Sequence, residues 1–262
     1  MCGFAGIFNY RGDAIDPNVL TPMTRILAHR GPDGEGFWHN QHIGLGHRRL
    51  AILDLSPAGA QPMKDDQKRY VLVYNGEIYN FREIRKELRQ KGYPFRSHTD
   101  TEVVLQAWRC WGREALRRFN GMFAFAIWDR LRNELSLARD RYGVKPLYYW
   151  DEGQKIVFAS EIKAILQHPD YTTEVSYPAL NEYFTFQNIF TDLTLFKGIR
   201  ILPAAHCLTF KLGSGRVRDH QYWDFHFQDT DLFADQGEYV EELDRLFRQA
   251  VDRQLYSDVE MG

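Results

Sequence analysis

A cysteine stands second in the chain, directly after Met1. Loss of Met1 would make Cys2 the first residue, with a nucleophilic thiol and an α-amino base on one residue. Such an amine, with a reference pKa of about 7.7–8.0, can take up the thiol proton and hand it to a leaving amine when the thiolate attacks an amide carbon. By position alone, Cys2 equally suits a small buried residue on a first strand. Further along, Asn75-Gly76 lies between the apolar run Tyr70 to Tyr74 and a helix start at Asn80, too close to that helix for a hairpin. That spacing predicts a strand-to-helix turn, where a side-chain amide and a backbone N–H can serve as an oxyanion hole; a purely structural turn is the local alternative. Arg49 offers a bidentate fork for a carboxylate. Asp100, at a helix start, offers an anion for an ammonium. Together they would suit a free amino acid, although the helix dipole alone favours an acid in a first turn and Arg48-Arg49 also reads as a solvated pair.

Elements able to position these residues follow from apolar periodicity. Strands are predicted at Gly3 to Tyr10, Ile43 to Leu55, Tyr70 to Tyr74, Met122 to Trp128, Glu134 to Arg139, Leu147 to Trp150, Ile156 to Ala159 and, as the last, Ala205 to Phe210. Helical spacing marks Val19 to His29, Glu161 to Gln167 and Tyr177 to Thr185. Asn80 with Glu83, and Thr99 with Glu102, have capping-box spacing at two further helix starts, and Gly112 suits the end of the second. Grouped strands with helices between and after them indicate an α+β layered fold. Arg30-Gly31-Pro32-Asp33 and the segment from Arg139 to Pro146 read as structural turns cross-linked by ion pairs.

Composition narrows the function class. Apolar residues make up 44% and charged residues 26% of the 262, with a formal net charge of -2. That balance suits a globular enzyme and gives no field for nucleic acid or an anionic membrane. No span is long and apolar enough for a bilayer, and the N-terminus is a poor signal peptide. Three dispersed cysteines and scattered histidines fit neither a disulfide framework nor a metal site. A reducing cytoplasm is therefore expected, with a free thiol at Cys2.

Met1-Cys2-Gly3, Arg30-Gly31-Pro32-Asp33, Arg49 to Leu53, Asn75 to Asn80, Gly121 to Ala126, Arg139 to Gly143 and Ala159 to Ala164 keep one order along the chain. In that order they resemble the glutaminase domain of glutamine-hydrolysing asparagine synthetases, a class II glutamine amidotransferase. The resemblance implies an N-terminal-nucleophile hydrolase fold, an αββα four-layer sandwich of two packed, mainly antiparallel sheets. It implies Cys2 as nucleophile, Asn75 and Gly76 as oxyanion hole, Arg49 on the substrate carboxylate and Asp100 on the ammonium. Leu50, Ala51, Ile52, Leu53 and Glu77 would complete the pocket for L-glutamine. No metal or cofactor is implied for this reaction. ATP and Mg2+ would belong to a second, synthetase domain acting in cis or in trans.

Residues 1–212 are thus expected to form the glutaminase domain. Residues 213–262 would hold a linker (His220 to Phe233) and the first helix of a truncated synthetase domain (Glu238 to Tyr256), because the sequence stops before any Ser-Gly-Gly-x-Asp-Ser phosphate loop. A relative that amidates another acceptor, a non-catalytic scaffold and a different N-terminal-nucleophile hydrolase stay open as rivals, and homodimerisation is left open.

Overall fold

Alternation along the apolar runs decides which layer each side chain joins. The computed structural model describes residues 1–227 and 235–260. In it, β1 (Gly3–Phe8) is buried on both faces. Phe4 and Phe8 enter one core while Ala5 and Ile7 enter another, as a two-residue period requires. The first sheet combines β1 with β2 (Gly34–His39), β3 (Ile43–Arg49), β8 (Tyr148–Asp151), β9 (Ile156–Ala159) and β10 (Ile199–Ile201), in the order β10-β8-β9-β1-β3-β2. The second combines β4 (Met63–Lys64), β5 (Tyr70–Ile78), β6 (Gly121–Asp129), β7 (Glu134–Arg139), β11 (His206–Lys211) and β12 (Gly215–Gln221), in the order β12-β11-β7-β6-β5-β4. Neighbouring strands are antiparallel throughout both sheets.

The sheets face each other across a core that includes Phe4, Phe8, Val71, Val73 and Trp128. Trp128 is fully buried there, edge-on to Phe8 at 4.9 Å between ring centroids. Burying an aromatic side chain of this kind contributes about 1.5–3 kcal/mol. Outside the first sheet lie α1 (Pro17–Arg25) and α5 (Ile162–Ile165), which bring Met23, Ala164 and Ile165 against Ala5 and Ile7. Outside the second lie α2 (Phe81–Gln90), α3 (Asp100–Trp111) and α4 (Ala115–Arg118), which bring Ile84, Val104 and Leu116 against Leu72 and Phe125. The order helix, sheet, sheet, helix is the expected αββα sandwich. Two more helices, α6 (Tyr177–Phe186) and α7 (Gln236–Gln254), follow in the second half of the chain.

The local signals hold unevenly. Thr99 caps α3 by accepting from Glu102 N–H at 3.2 Å. The Glu102 carboxylate does not return to Thr99; it accepts the N–H groups of Arg96 and Ser97 instead. At α2 the capping box is absent: the Asn80 side chain bonds Arg118 O and Asn120 N, outside its own helix. Gly112 ends α3 at φ 58. Strands β2, β4, β10 and β12 escape the periodicity, because they are short or half exposed. β12 corrects the reading of Ala205 to Phe210 as the last strand. It pairs with β11 from Gly215 to Gln221, and the buried Tyr222 donates to Arg139 O at 2.8 Å. Its polar residues, exposed on a sheet edge, read in sequence as linker. The rest of that expected linker runs into residues 228–233, outside the described residues.

Candidate active site

Cys2 precedes β1 by one position and shares the parity of Phe4 and Phe8, so it points into the gap between the sheets. Leu50 N–H donates to Sγ at 3.4 Å, and Sγ lies 3.5 Å from Leu50 O. Burial pushes the Cys2 thiol up; the Leu50 N–H and the N-terminal charge only partly oppose this. The resting thiol is therefore protonated at neutral pH and needs a base. Its backbone is clamped by the Arg30 loop. Arg30 Nε donates to Cys2 O at 2.9 Å and Nη1 to the Glu161 carboxylate at 2.8 Å. Burial works against the ionised Glu161, but Arg30, His29 and Lys163 outweigh it and bring its pKa down to about 2. Gly31 permits the approach, since a Cβ there would sit 2.3 Å from the Arg48 carbonyl carbon. The ion pair agrees with the expected cross-linked turn; the position of the loop against Cys2 is legible only in three dimensions.

The second sheet brings the donors. Contrary to the predicted turn, Asn75 and Gly76 lie inside β5, opposite Ala124 and Phe123 of β6. Gly76 is there because of β6: an added Cβ would meet Met122 O at 2.3 Å. Tyr79 N–H bonds Asn120 O on the β6 side, so by alternation the N–H groups of Tyr74, Gly76 and Ile78 face the other edge. On that edge β4 covers only Val71 and Leu72. Tyr74 N–H is taken by Gln61 Oε1 at 2.6 Å, and Ile78 N–H by Asp100 Oδ2 at 3.0 Å. Gly76 N–H lies between them and has no side-chain or loop partner among the described residues. The Asn75 side chain is 1% exposed, yet its Nδ2 has no acceptor. A buried orphan donor of this kind costs about 1–3 kcal/mol. Its place in the wall of the pocket gives it a use.

That pocket gathers Cys2, Arg49, Leu50, Ile52 and Leu53 from the first sheet and its following loop. Asn75, Gly76, Glu77 and Asp100 come from the second sheet and α3. Ala51 is the exception: it is outside the lining, and its N–H donates to the Asp33 carboxylate at 2.9 Å. Arg49 is no solvated surface residue. Its guanidinium donates to the carbonyls of Ser56, Leu53 and Asp54. Gly59 leaves room for it, because a Cβ there would lie 2.1 Å from Nη2. Asp100, 5% exposed, uses Oδ2 to accept from Tyr74 O–H at 2.7 Å as well as from Ile78. Burial raises its pKa against these hydrogen bonds, so an incoming cation would be a welcome partner. Burial and the Asp100 charge likewise raise the pKa of Glu77, with Lys145 opposing.

Sequence reasoning did not single out His47, Tyr74 or Lys145. His47 is fully buried, with Nε2 3.1 Å from Tyr74 O, and burial lowers its pKa to about 3. It is a neutral cross-sheet link two residues before Arg49 on β3. The alternation Leu45, His47, Arg49 was the signal that could have found it. Lys145 is 5% exposed and lines the pocket, with Nζ 3.1 Å from Met1 Sδ. The rest of its segment is structural, but its links run to backbone more than to ion pairs. Asp140 accepts from the N–H groups of Phe123, Tyr142, Val144 and Lys145, and Arg139 donates to the carbonyls of Lys145, Leu202 and Gly143.

With Met1 in place, the enclosed part of the pocket is about 60 Å³, room for only a few waters. Met1 lines it, so its removal would both free the Cys2 amine and enlarge the site. Intact-mass measurement of the purified protein is expected to show a species lighter by one methionine residue. Retention of Met1 in active protein would exclude the Cys2 α-amine as base.

Cys2 thus lies between two facing sheets, in one pocket with the unpaired Asn75 Nδ2. The glutamine amidotransferase domain model matches residues 1–223, and the chain belongs to that family. Among curated proteins it is similar to "Asparagine synthetase [glutamine-hydrolyzing] 3" of Bacillus subtilis, at 41% identity over 99% of this chain and 42% of that protein. A Methanocaldococcus jannaschii "Putative asparagine synthetase [glutamine-hydrolyzing] 2" is 35% identical over all of this chain and 54% of its own length. The Gibberella zeae "Amidase chry2" is 33% identical, with 40% of its length covered. This chain thus spans roughly half or less of these relatives. Among solved structures, the B. subtilis glutamine phosphoribosylpyrophosphate amidotransferase aligns with a TM-score of 0.63 at 18% identity, over 84% of this chain and 49% of that one. That likeness concerns the fold.

Proposed function

We propose that the chain hydrolyses the side-chain amide of L-glutamine to glutamate and ammonia. The Cys2 thiol loses its proton to the α-amine, and Sγ attacks the amide carbon. Negative charge develops on the amide oxygen, facing Gly76 N–H and Asn75 Nδ2. Collapse of the tetrahedral intermediate breaks the C–N bond; the amine's proton goes to the leaving nitrogen, and a γ-glutamyl thioester remains on Sγ. Water, deprotonated by the same amine, then releases glutamate and restores the thiol. The observation that carries this reading is the unpartnered Asn75 Nδ2 beside Gly76, whose N–H faces away from β6 by strand alternation, both in the wall of the pocket that holds Cys2. In the same reading Arg49 takes the α-carboxylate and Asp100 the α-ammonium of a free amino acid.

The first test is release of ammonia and glutamate from glutamine by the purified chain; no release above the uncatalysed rate would refute the reading. Arg49→Ala is expected to raise KM for glutamine by about 10- to 100-fold, because a charge-assisted bond is worth roughly 1.5–3 kcal/mol. An unchanged KM would remove Arg49 from the substrate's carboxylate.

Ammonia made here would, in this proposal, be consumed by an ATP- and Mg2+-dependent synthetase domain forming asparagine from aspartate, in cis or in trans. The similarity to asparagine synthetases supports that acceptor. Among the described residues there is no group of three or more His, Cys, Asp or Glu that could hold a metal ion. The apolar side chains Leu243, Leu246, Phe247 and Val251 of α7 are exposed, which suits a helix that begins such a domain. No helix among the described residues is long and apolar enough to cross a membrane. A reducing cytoplasm is the proposed setting, since the chemistry needs Cys2 as a free thiol.

A further inference from the structure

Arg49 owes its fixed position to a loop with little regular structure of its own. Residues 50–56 supply its carbonyl acceptors, and Asp54 sits at φ 54, a left-handed conformation uncommon outside glycine. Bonds from elsewhere in the chain must therefore hold the loop. Asp33 holds Ala51, and the Asp54 carboxylate accepts His98 N–H at 2.7 Å. Two more bonds come from the far end of the sequence. Asp258 N–H donates to Ile52 O at 3.0 Å, and Asp54 N–H donates to Asp258 Oδ2 at 2.7 Å. They flank Leu53, which lines the pocket and whose carbonyl receives Arg49 Nη2.

The approach of this segment is fixed independently. The Tyr256 ring packs on Phe81 at 5.5 Å between centroids, and the Arg82 guanidinium lies 3.4 Å above it. Arg253, in the last turn of α7, pairs with Glu83 at 3.3 Å. Asp258 thus arrives at the pocket wall from a segment docked on α2.

We infer that Asp258 is a positioning residue for the amino-acid substrate: by bridging Ile52 and Asp54 it holds the loop whose carbonyls aim Arg49 into the pocket. The inference rests on the glutaminase reading above. It makes the segment after α7 part of the glutamine site, so a displacement of α7 would be felt at Arg49. Asn75 and Gly76 lie on another element, and the loop touches Cys2 only through Leu50, ahead of the bridged span from Ile52 to Asp54, so the effect falls on binding and not on the chemical step.

The test compares Asp258→Ala with Asp258→Asn in the full chain. Asp258→Ala removes the acceptor for Asp54 N–H; Asn keeps an oxygen there. For Asp258→Ala, KM for glutamine is expected to rise about two- to fivefold, the low end for one exposed hydrogen bond, with kcat unchanged and KM restored in Asp258→Asn. Amide hydrogen exchange across 50–56 should speed up in the Ala variant only. Unchanged exchange would overturn the bridge, and faster exchange with unchanged KM would overturn its role in binding. If the unaltered chain releases no ammonia, the glutaminase reading fails first, and the exchange result still decides the bridge.

Discussion

Cys2→Ala is expected to bring ammonia release from glutamine down to background, a loss on the order of 10⁴-fold or more, as for removal of other enzymic nucleophiles. No other cysteine lines the pocket. Cys110 and Cys207 belong to the cluster outside the second sheet, and Cys207 is fully buried, with burial raising its pKa to about 12. Binding should survive, because Arg49 and Asp100 are held by their own contacts and not by Sγ. Calorimetry should therefore show glutamine bound to the silent variant. Turnover close to that of the unaltered chain would disprove the assignment of the nucleophile. Loss of binding along with turnover would show that Cys2 shapes the pocket as well.

For Asn75→Ala, kcat should fall by about 10²–10³, the usual consequence of losing one oxyanion donor and worth roughly 3–4 kcal/mol of barrier. KM should change little, since the donor meets charge that develops only after attack. A second readout separates this from simple damage to the strand. Asn75 Nδ2 is a buried donor without a partner in the free protein, so its removal relieves a desolvation cost of about 1–3 kcal/mol. The thermal midpoint should then hold or rise while kcat collapses. A kcat within a few fold of the unaltered value would remove Asn75 from the oxyanion hole. A falling midpoint would mean that the amide serves the fold instead.

Much of the fold could be read before any coordinates. The runs Gly3 to Tyr10, Tyr70 to Tyr74, Met122 to Trp128 and Ile156 to Ala159 announce strands because apolar residues on both faces leave few alternatives to burial between layers. Thr99 and Gly112 bound α3 by capping chemistry local to the chain. Where the signal failed, a distant partner had decided the outcome. Asn75-Gly76 has the composition of a turn, but β6 continues to Gly121 and holds the pair in a strand. Asn80 has the composition of a cap, but Arg118 and Asn120 claim its side chain. β12 has the composition of a linker, but the edge of β11 was open to it.

The same division runs through the site. Residue types and their order along the chain determined which groups could act: a thiol at the second position, an amide beside a glycine, a guanidinium and a carboxylate. These are chemical properties, carried by each residue wherever it goes. Orientation is not. Gly76 N–H is open because β4 stops at Leu72, Arg49 is aimed because loop carbonyls hold it, and Cys2 meets the donors because two sheets pack with their parities aligned. Each of these depends on where another segment ends or packs, which no local pattern encodes, so only the tertiary structure could decide it.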